Sequence, residues 1–362
     1  MTSDILAHEQ LKIELINVLS KFFMRHLEEI LQEKIGNFQS IDKITGLVFG
    51  KRLGRRGELQ LMTVNVESTK NQSYEVVLAF KFLNNPESAA KEGNGAVWLT
   101  DILKNNFKIH TPRLLYFSHQ NSLLIYQGLV DTHEYLDSKL DQPQKLFLSG
   151  LALPYIHGIS RNKVMVDRYL HLITGVTDGL NIPPGDKNEL FSLFKDDLNR
   201  VGTSEAGANC FGDFHPGNIM FKESERPSSN IGDTKIDRTE VFLIDPAYVD
   251  SEGNVDRAED IGTFFSKFAY NDYYLSESFD RTIADLEILC RGYDYAINQN
   301  QLSLIDFYPE GSTFDFQIAL GIMIDTMFKT KTFGASNIQD RVNKCIEAVQ
   351  YILRKRPFDI YE

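Results

Sequence analysis

The chain has 362 residues, 42% hydrophobic and 24% charged, with a formal net charge of -12. These are globular proportions, which excludes wholesale disorder and allows two or three domains or one two-lobed domain. The acidic balance excludes nucleic-acid binding by bulk positive charge, and no nucleic-acid partner is expected.

Cys210, Cys290 and Cys345 are too few and too scattered for a disulfide framework or a zinc site, and read as buried thiols in a reducing compartment. No run approaches the roughly 18 apolar residues of a membrane span. The start lacks a basic and then apolar leader, and neither end carries a lipidation signal. A cytoplasmic protein with no membrane partner is therefore expected.

In residues 9–34 the apolar positions include Leu11, Leu15, Val18, Phe22, Leu27, Ile30 and Leu31. That spacing predicts one long amphipathic helix, packed on its own domain in preference to a dimer seam. The oligomeric state stays open between monomer and homodimer. From about 43 to 130 the pattern turns to strands. Strands are predicted at 44–49, 59–64 and 74–83, with a Gly- and Arg-rich turn at 50–57. Asn84-Asn85-Pro86 breaks the third strand, a helix is expected over 87–104, and 113–117 with 122–126 read as a second hairpin. Beyond 130 the chain reads as mainly helical, with candidates at 143–159, 187–201 and 256–355 and short strands at 218–222 and 240–244. The polar stretch 222–240 reads as a long hairpin loop. The expected architecture is α+β in two unequal lobes: a helical extension at 1–42, a small antiparallel-sheet lobe at 43–128, and a larger helical lobe at 129–362.

The strongest chemical signal is the segment Phe211-Gly212-Asp213-Phe214-His215-Pro216-Gly217-Asn218-Ile219, just before a strand. Downstream, Asp245 ends the apolar strand Val241-Phe242-Leu243-Ile244. Two carboxylates and a carboxamide oxygen at strand edges form a hard oxygen-donor set suited to Mg²⁺. A carboxylate beside such a set can accept a proton from a substrate hydroxyl. No Ser-His-Asp elbow, HExxH or CxxC pattern competes.

These two motifs resemble the catalytic loop and metal-binding motif of the aminoglycoside phosphotransferase and choline kinase-like superfamily, which has the protein-kinase fold. Asp213 and Asn218 match the Asp-x-x-x-x-Asn spacing. The resemblance implies that Asp213 is the catalytic base and that Asn218 and Asp245 hold Mg²⁺ on the phosphates of ATP, with GTP also open. It further implies a strand lysine and a helix glutamate, which Lys81 and Glu92 supply in the right order; Glu87 is the rival glutamate. Gly50 opens the turn where a phosphate-covering loop is expected, its backbone able to approach phosphates. The backbone of Gln127 and Leu129 stands at the hinge that would meet the adenine edge. Asp260 is expected to bond the backbone of the catalytic loop, His157 to be structural, and His215 to brace the loop. Phe211 stands where the family commonly has His, and Pro246 where many members have an aromatic residue.

The resemblance thus implies a Mg-ATP-dependent phosphotransferase acting on a hydroxyl of a small cationic metabolite, such as an aminoglycoside, amino sugar or amino alcohol. A non-catalytic nucleotide-binding module and a protein kinase are the alternatives. Asp256, Glu259, Glu277, Asp306, Asp315 and Asp325 are candidate acids for binding a cationic acceptor.

Overall fold

Alternation of apolar side chains builds the sheet of the N-terminal part of the molecule. The computed structural model describes residues 24–36, 38–53, 59–158, 162–203, 207–223, 235–300, 313–332 and 337–359. Two compact units form, Met1–Thr100 with Thr111–Thr132, and Asp101–His110 with His133–Glu362.

The first unit is an antiparallel five-stranded sheet with a helix packed against it. Its strands are β1 (Ile41–Leu53), β2 (Leu59–Ser68), β3 (Ser73–Phe82), β4 (Leu114–Ser118) and β5 (Leu123–Gln127), in the order β1-β2-β3-β5-β4. Val76, Leu78 and Phe80 of β3 point to one face and join Met62, Val64 and Val66 of β2 in a buried cluster. Helix α1 (Met24–Ile35) closes that face with Leu27, Ile30 and Leu31. Burying one such side chain contributes about 1.5–3 kcal/mol. The described part of the N-terminal helix therefore packs on its own sheet; residues 9–23 of the expected helix lie outside the described residues. Glu28 reinforces the contact, its Oε1 accepting the Ile41 N–H at 2.9 Å. On the opposite face of the sheet Ala79 packs with Leu124, Tyr126 and with Ala96 of helix α2 (Pro86–Leu103). With a period of two, Lys81 falls on that same face.

The turn expected from residue 50 starts later. β1 runs on through Leu53, pairing Arg52 with Gln60 and Leu53 with Leu59 across a register shift after Phe49. The irregularity absorbs Gly50 and Lys51 within the strand. Residues 54–58 of that turn lie outside the described residues.

The second unit is mainly helical. Helix α3 (Gln142–His157) starts with a capping box: Asp141 accepts the Gln144 N–H at 2.8 Å, and Gln144 accepts the Asp141 N–H at 3.2 Å. Helices α4 (Val166–Gly179) and α5 (Pro184–Thr203) follow. Helix α4 goes beyond the sequence reading, although Tyr169, Ile173 and Val176, all buried, repeat at helical spacing. Strands β6 (Gly207–Cys210), β7 (Ile219–Glu223), β8 (Thr239–Leu243) and β9 (Asp250–Asp256) come next, then α6 (Ala258–Ser276), α7 (Asp280–Asn300), α8 (Phe314–Thr332) and α9 (Ile338–Lys355). In a small sheet β8 lies between β7 and the bridge Ile109–His110, while His133–Glu134 pairs with the far side of β7. β6 and β9 pair separately. Residues 224–234 of the expected long loop lie outside the described residues; Lys235–Arg238 forms one helical turn before β8.

Helices α3 and α7 cross at very short range through facing glycines. A Cβ at Gly150 would sit 1.9 Å from the Leu289 carbonyl oxygen, and one at Gly292 would sit 2.0 Å from that of Phe147. All three cysteines are buried free thiols. Among the described residues, no helix is long and apolar enough to cross a membrane. The antiparallel-sheet first unit and mainly helical second unit are the α+β layout expected from the sequence.

Candidate functional site

In the first unit the alternation of β3 sets Lys81 on the face that also packs against α2. Its Nζ lies 2.8 Å from Glu92 Oε2 of that helix, with the two side chains 12% and 2% exposed. Tyr126 Oη, on β5, donates to the other carboxylate oxygen of Glu92 at 2.9 Å. Both oxygens of a buried glutamate are thus engaged, which fixes its rotamer and keeps the lysine charged. Glu87 is instead 80% exposed and pairs with Lys91 one turn along the helix surface. Tyr126 escaped the sequence reading; the available signal was an aromatic residue with a polar tip on the strand beside Lys81.

Gly50 lies on β1, and its carbonyl accepts a hydrogen bond from the Gln60 side chain. Gln127 ends β5 with its N–H bonded to Arg113 O at 2.9 Å, and the next N–H, of Gly128, bonds Val77 O at 2.8 Å. Leu129 follows just beyond the sheet, half-buried.

The second unit holds the other predicted residues. After β6 the chain turns at Gly212, whose φ is +81°. A Cβ there would meet the Tyr248 carbonyl oxygen at 2.1 Å, so both the backbone angle and the space require glycine. Asp213 follows, and Pro216–Asn218 forms a single 3₁₀ turn leading into β7. The Asn218 side-chain amide donates to the Asp213 carbonyl at 3.0 Å and approaches Asp213 Oδ2 at 3.3 Å. Both partners are acceptors, so Nδ2 faces them and Oδ1 is turned away.

The Ile244 N–H donates to Asn218 O at 3.0 Å, which ties the end of β8 to the start of β7. Asp245 comes next, with φ at +64°. A left-handed non-glycine residue is uncommon and marks a position held by its surroundings. Asp213 and Asn218 are thus in direct contact, and Asp245 is joined to them through the backbone.

The donor set suits Mg²⁺. Among the described residues no cluster of three or more His, Cys, Asp or Glu forms a ready-made metal cage. Mg²⁺ does not need one, because it characteristically takes one or two protein oxygens and completes its shell with water and phosphate. The Asn218 carboxamide oxygen and the Asp245 carboxylate would supply that number.

Behind the loop stands Asp260, in the first turn of α6 and fully buried. Its carboxylate accepts the N–H of Phe211 and of Gly212, each at 2.8 Å, and the Cys210 thiol at 3.1 Å. His157 Nε2 lies 3.2 Å away, and its Nδ1 lies 3.1 Å from Tyr293 Oη. A carboxylate only accepts, so Nε2 carries a proton; in the neutral ring Nδ1 then receives the tyrosine hydroxyl. Burial and the neighbouring Asp260 and Glu259 charges push the Cys210 thiol well up, which keeps it a donor. Phe211, at a position where the related motif has His, is fully buried edge-on to Phe214. It engages Asp260 through its backbone, so the side chain need not supply the bond. The role of Cys210 had no signal in the sequence, because the partner is 50 residues away.

The described acids nominated for a cationic acceptor all have partners within the protein. Asp256 accepts Thr313 Oγ1 at 3.0 Å and Gln317 Nε2 at 2.7 Å. Glu259 is bound by Arg168 at 2.6 Å and Tyr169 at 2.8 Å. Asp315, 1% exposed, accepts the Phe358 N–H at 3.1 Å. Glu277 pairs with Lys344, and Asp325 with Lys329. Each of these carboxylates already serves the protein itself; Asp306 lies outside the described residues.

No family model matches the sequence, and no curated protein matches it either. Among solved structures, the chain is similar to choline kinase LicA from Streptococcus pneumoniae, at 15% identity over 90% of this chain and 99% of that one, with a TM-score of 0.50. Aminoglycoside phosphotransferase APH(3'')-Id from Streptomyces rimosus matches at 12% identity over 84% and 98% of the two chains, with a TM-score of 0.41. A choline/ethanolamine kinase family protein from Mesorhizobium loti matches at 12% identity over 88% and 99%, with a TM-score of 0.35. The likeness to the choline kinase establishes the fold: the chain has the kinase-like architecture of that structure.

Proposed function

We propose that the protein is a Mg-ATP-dependent phosphotransferase that moves the γ-phosphoryl group to a hydroxyl of a small polar metabolite. One observation carries this reading. Asn218 bonds Asp213 through its amide while its backbone carbonyl anchors the strand end that carries Asp245. A base and two hard oxygen ligands are thereby held in one frame, which suits phosphoryl transfer because that reaction depends on positioning and charge neutralisation.

In this reading Asp213 takes the proton of the acceptor hydroxyl. Asn218 and Asp245 hold Mg²⁺, which would neutralise phosphate charge. Lys81, kept charged by Glu92, meets the α- and β-phosphates. The backbones of Gln127 and Leu129 meet the adenine edge, and Gly50 lies near the phosphates. Residues 43–128 then serve the nucleotide and 129–362 the acceptor. ATP is the preferred donor, with GTP the alternative. An amino sugar, aminoglycoside or amino alcohol is the favoured acceptor class, since a net charge of -12 draws cations toward the protein. A protein substrate is disfavoured. Between Asp245 and the helix at Ala258 stands only β9, paired with β6, which leaves little platform for an extended peptide.

The test is ADP release from Mg-ATP by wild type and Asp213→Ala across a panel of amino sugars, aminoglycosides and amino alcohols. Release that needs both an acceptor and Asp213 is expected, with Mg-ATP binding retained by the variant. Full turnover by Asp213→Ala would remove the base assignment. No Mg-dependent nucleotide binding by wild type would remove the reading altogether.

A further inference from the structure

His215 uses its two ring nitrogens on two different neighbours. Its backbone is extended, with φ at -145° and ψ at 163°, and it caps the 3₁₀ turn that carries Asn218. Nδ1 accepts the Gly217 N–H at 2.9 Å. A ring nitrogen that accepts an N–H carries no proton, so in the neutral ring the proton sits on Nε2. That nitrogen lies 3.6 Å from Asp213 Oδ2. The same oxygen is the one approached by the Asn218 amide, at 3.3 Å. The Asn218 amide thus reaches Oδ2, and the His215 Nε2–H stands just beyond hydrogen-bond range of the same oxygen, in a tautomer set by the backbone of the turn.

We propose, resting on the phosphotransferase reading above, that His215 is a positioning residue for Asp213. Its Nε2–H and the Asn218 amide hold the carboxylate by Oδ2 and leave Oδ1 to take the proton of the acceptor hydroxyl. The 3.6 Å separation is slightly longer than a hydrogen bond, and catalytic contacts of this kind tighten when the reacting complex forms. His215 itself exchanges no proton in this role. Its ring joins the cap of the metal-ligand turn to the base, so the two are set together.

The two functions of the ring separate by mutation. In His215→Asn the carboxamide oxygen replaces Nδ1 as the acceptor for Gly217, and Asn is among the best residues for that capping position, but the shorter side chain does not reach Asp213. In His215→Gln the side-chain amide takes the place of Nε2 and the cap is lost. His215→Asn is expected to lower kcat about tenfold with KM for Mg-ATP unchanged, which corresponds to losing one hydrogen bond to a charged group in the transition state. His215→Gln is expected to keep more of kcat and to unfold at a lower denaturant concentration than His215→Asn.

Turnover is read as ADP release from Mg-ATP, both with water as the acceptor and with the small-molecule panel. Ring ¹H–¹⁵N correlation spectra of the wild type supply a readout free of activity, and the Nε2–H tautomer is expected for His215. An Nδ1–H tautomer, or full kcat in His215→Asn, overturns the proposal while leaving the phosphotransferase reading in place. A wild type that shows the Nε2–H tautomer but neither binds Mg-ATP nor releases ADP removes that reading, and the role of His215 with it.

Discussion

Asp260→Asn is the sharpest test of how the loop that carries Asp213 is held. The wild-type carboxylate collects Phe211 N–H and His157 on one oxygen and Gly212 N–H and the Cys210 thiol on the other. An asparagine keeps one oxygen and turns an amide toward the other pair, whichever way it is oriented. At least one backbone N–H then faces another donor in a fully buried site. A hydrogen bond to a charged group contributes about 1.5–3 kcal/mol, and stranding a buried donor costs about 1–3 kcal/mol more. The sum is about 2.5–6 kcal/mol.

For a unit of this size, that loss lowers the thermal midpoint by roughly 10 °C. Equilibrium denaturation and a thermal scan measure it directly, and ADP release should fall in parallel because Gly212 and Asp213 lose their anchor. A destabilisation under about 1 kcal/mol with turnover intact would refute the idea that Asp260 holds the loop.

Two further perturbations probe other parts of the chain. Burial and the nearby Asp197 and Asp359 charges push Asp315 up to about 7, against the pull of Phe358 N–H and Arg356. The folded protein therefore takes up a proton that the unfolded chain, at an ordinary carboxylate value near 4, does not. The stability from this group is fully present below about pH 4 and is lost as pH rises through about 7. Asp315→Asn should flatten that part of the pH–stability curve and leave the variant relatively more stable at pH 8; denaturation midpoints that follow the wild-type slope would refute the assignment. Glu92→Gln removes the countercharge of Lys81 in a nearly buried pair and should cost roughly 3 kcal/mol of stability. It should also weaken Mg-ATP binding about tenfold in a calorimetric titration, and unchanged nucleotide affinity would separate the ion pair from the nucleotide.

Local chemistry made much of this protein legible before any coordinates. The spacing of Asp213 and Asn218, the aspartate ending the strand at Ile244, and the lysine within a β-branched run are properties of short segments. So is the alternation in β2 and β3, because a half-buried strand repeats its demand every second residue. Phe211 could be placed in the loop but not explained from sequence, since the bond that matters comes from its backbone.

The rest depended on residues far apart in the chain. Tyr126 meets Glu92 only because β5 pairs with β3, and Cys210 reaches Asp260 only because α6 packs behind the loop. The same holds for the acids: Asp256, Glu259 and Asp315 read as equivalent to any surface carboxylate until packing supplied Gln317, Arg168 and Phe358 as partners. Sequence by itself determined the chemical groups, the elements that carry them and the reaction class they resemble. Tertiary structure alone decided which carboxylates are engaged inside the protein, because burial and hydrogen-bond partnership are set by contacts that no local pattern encodes.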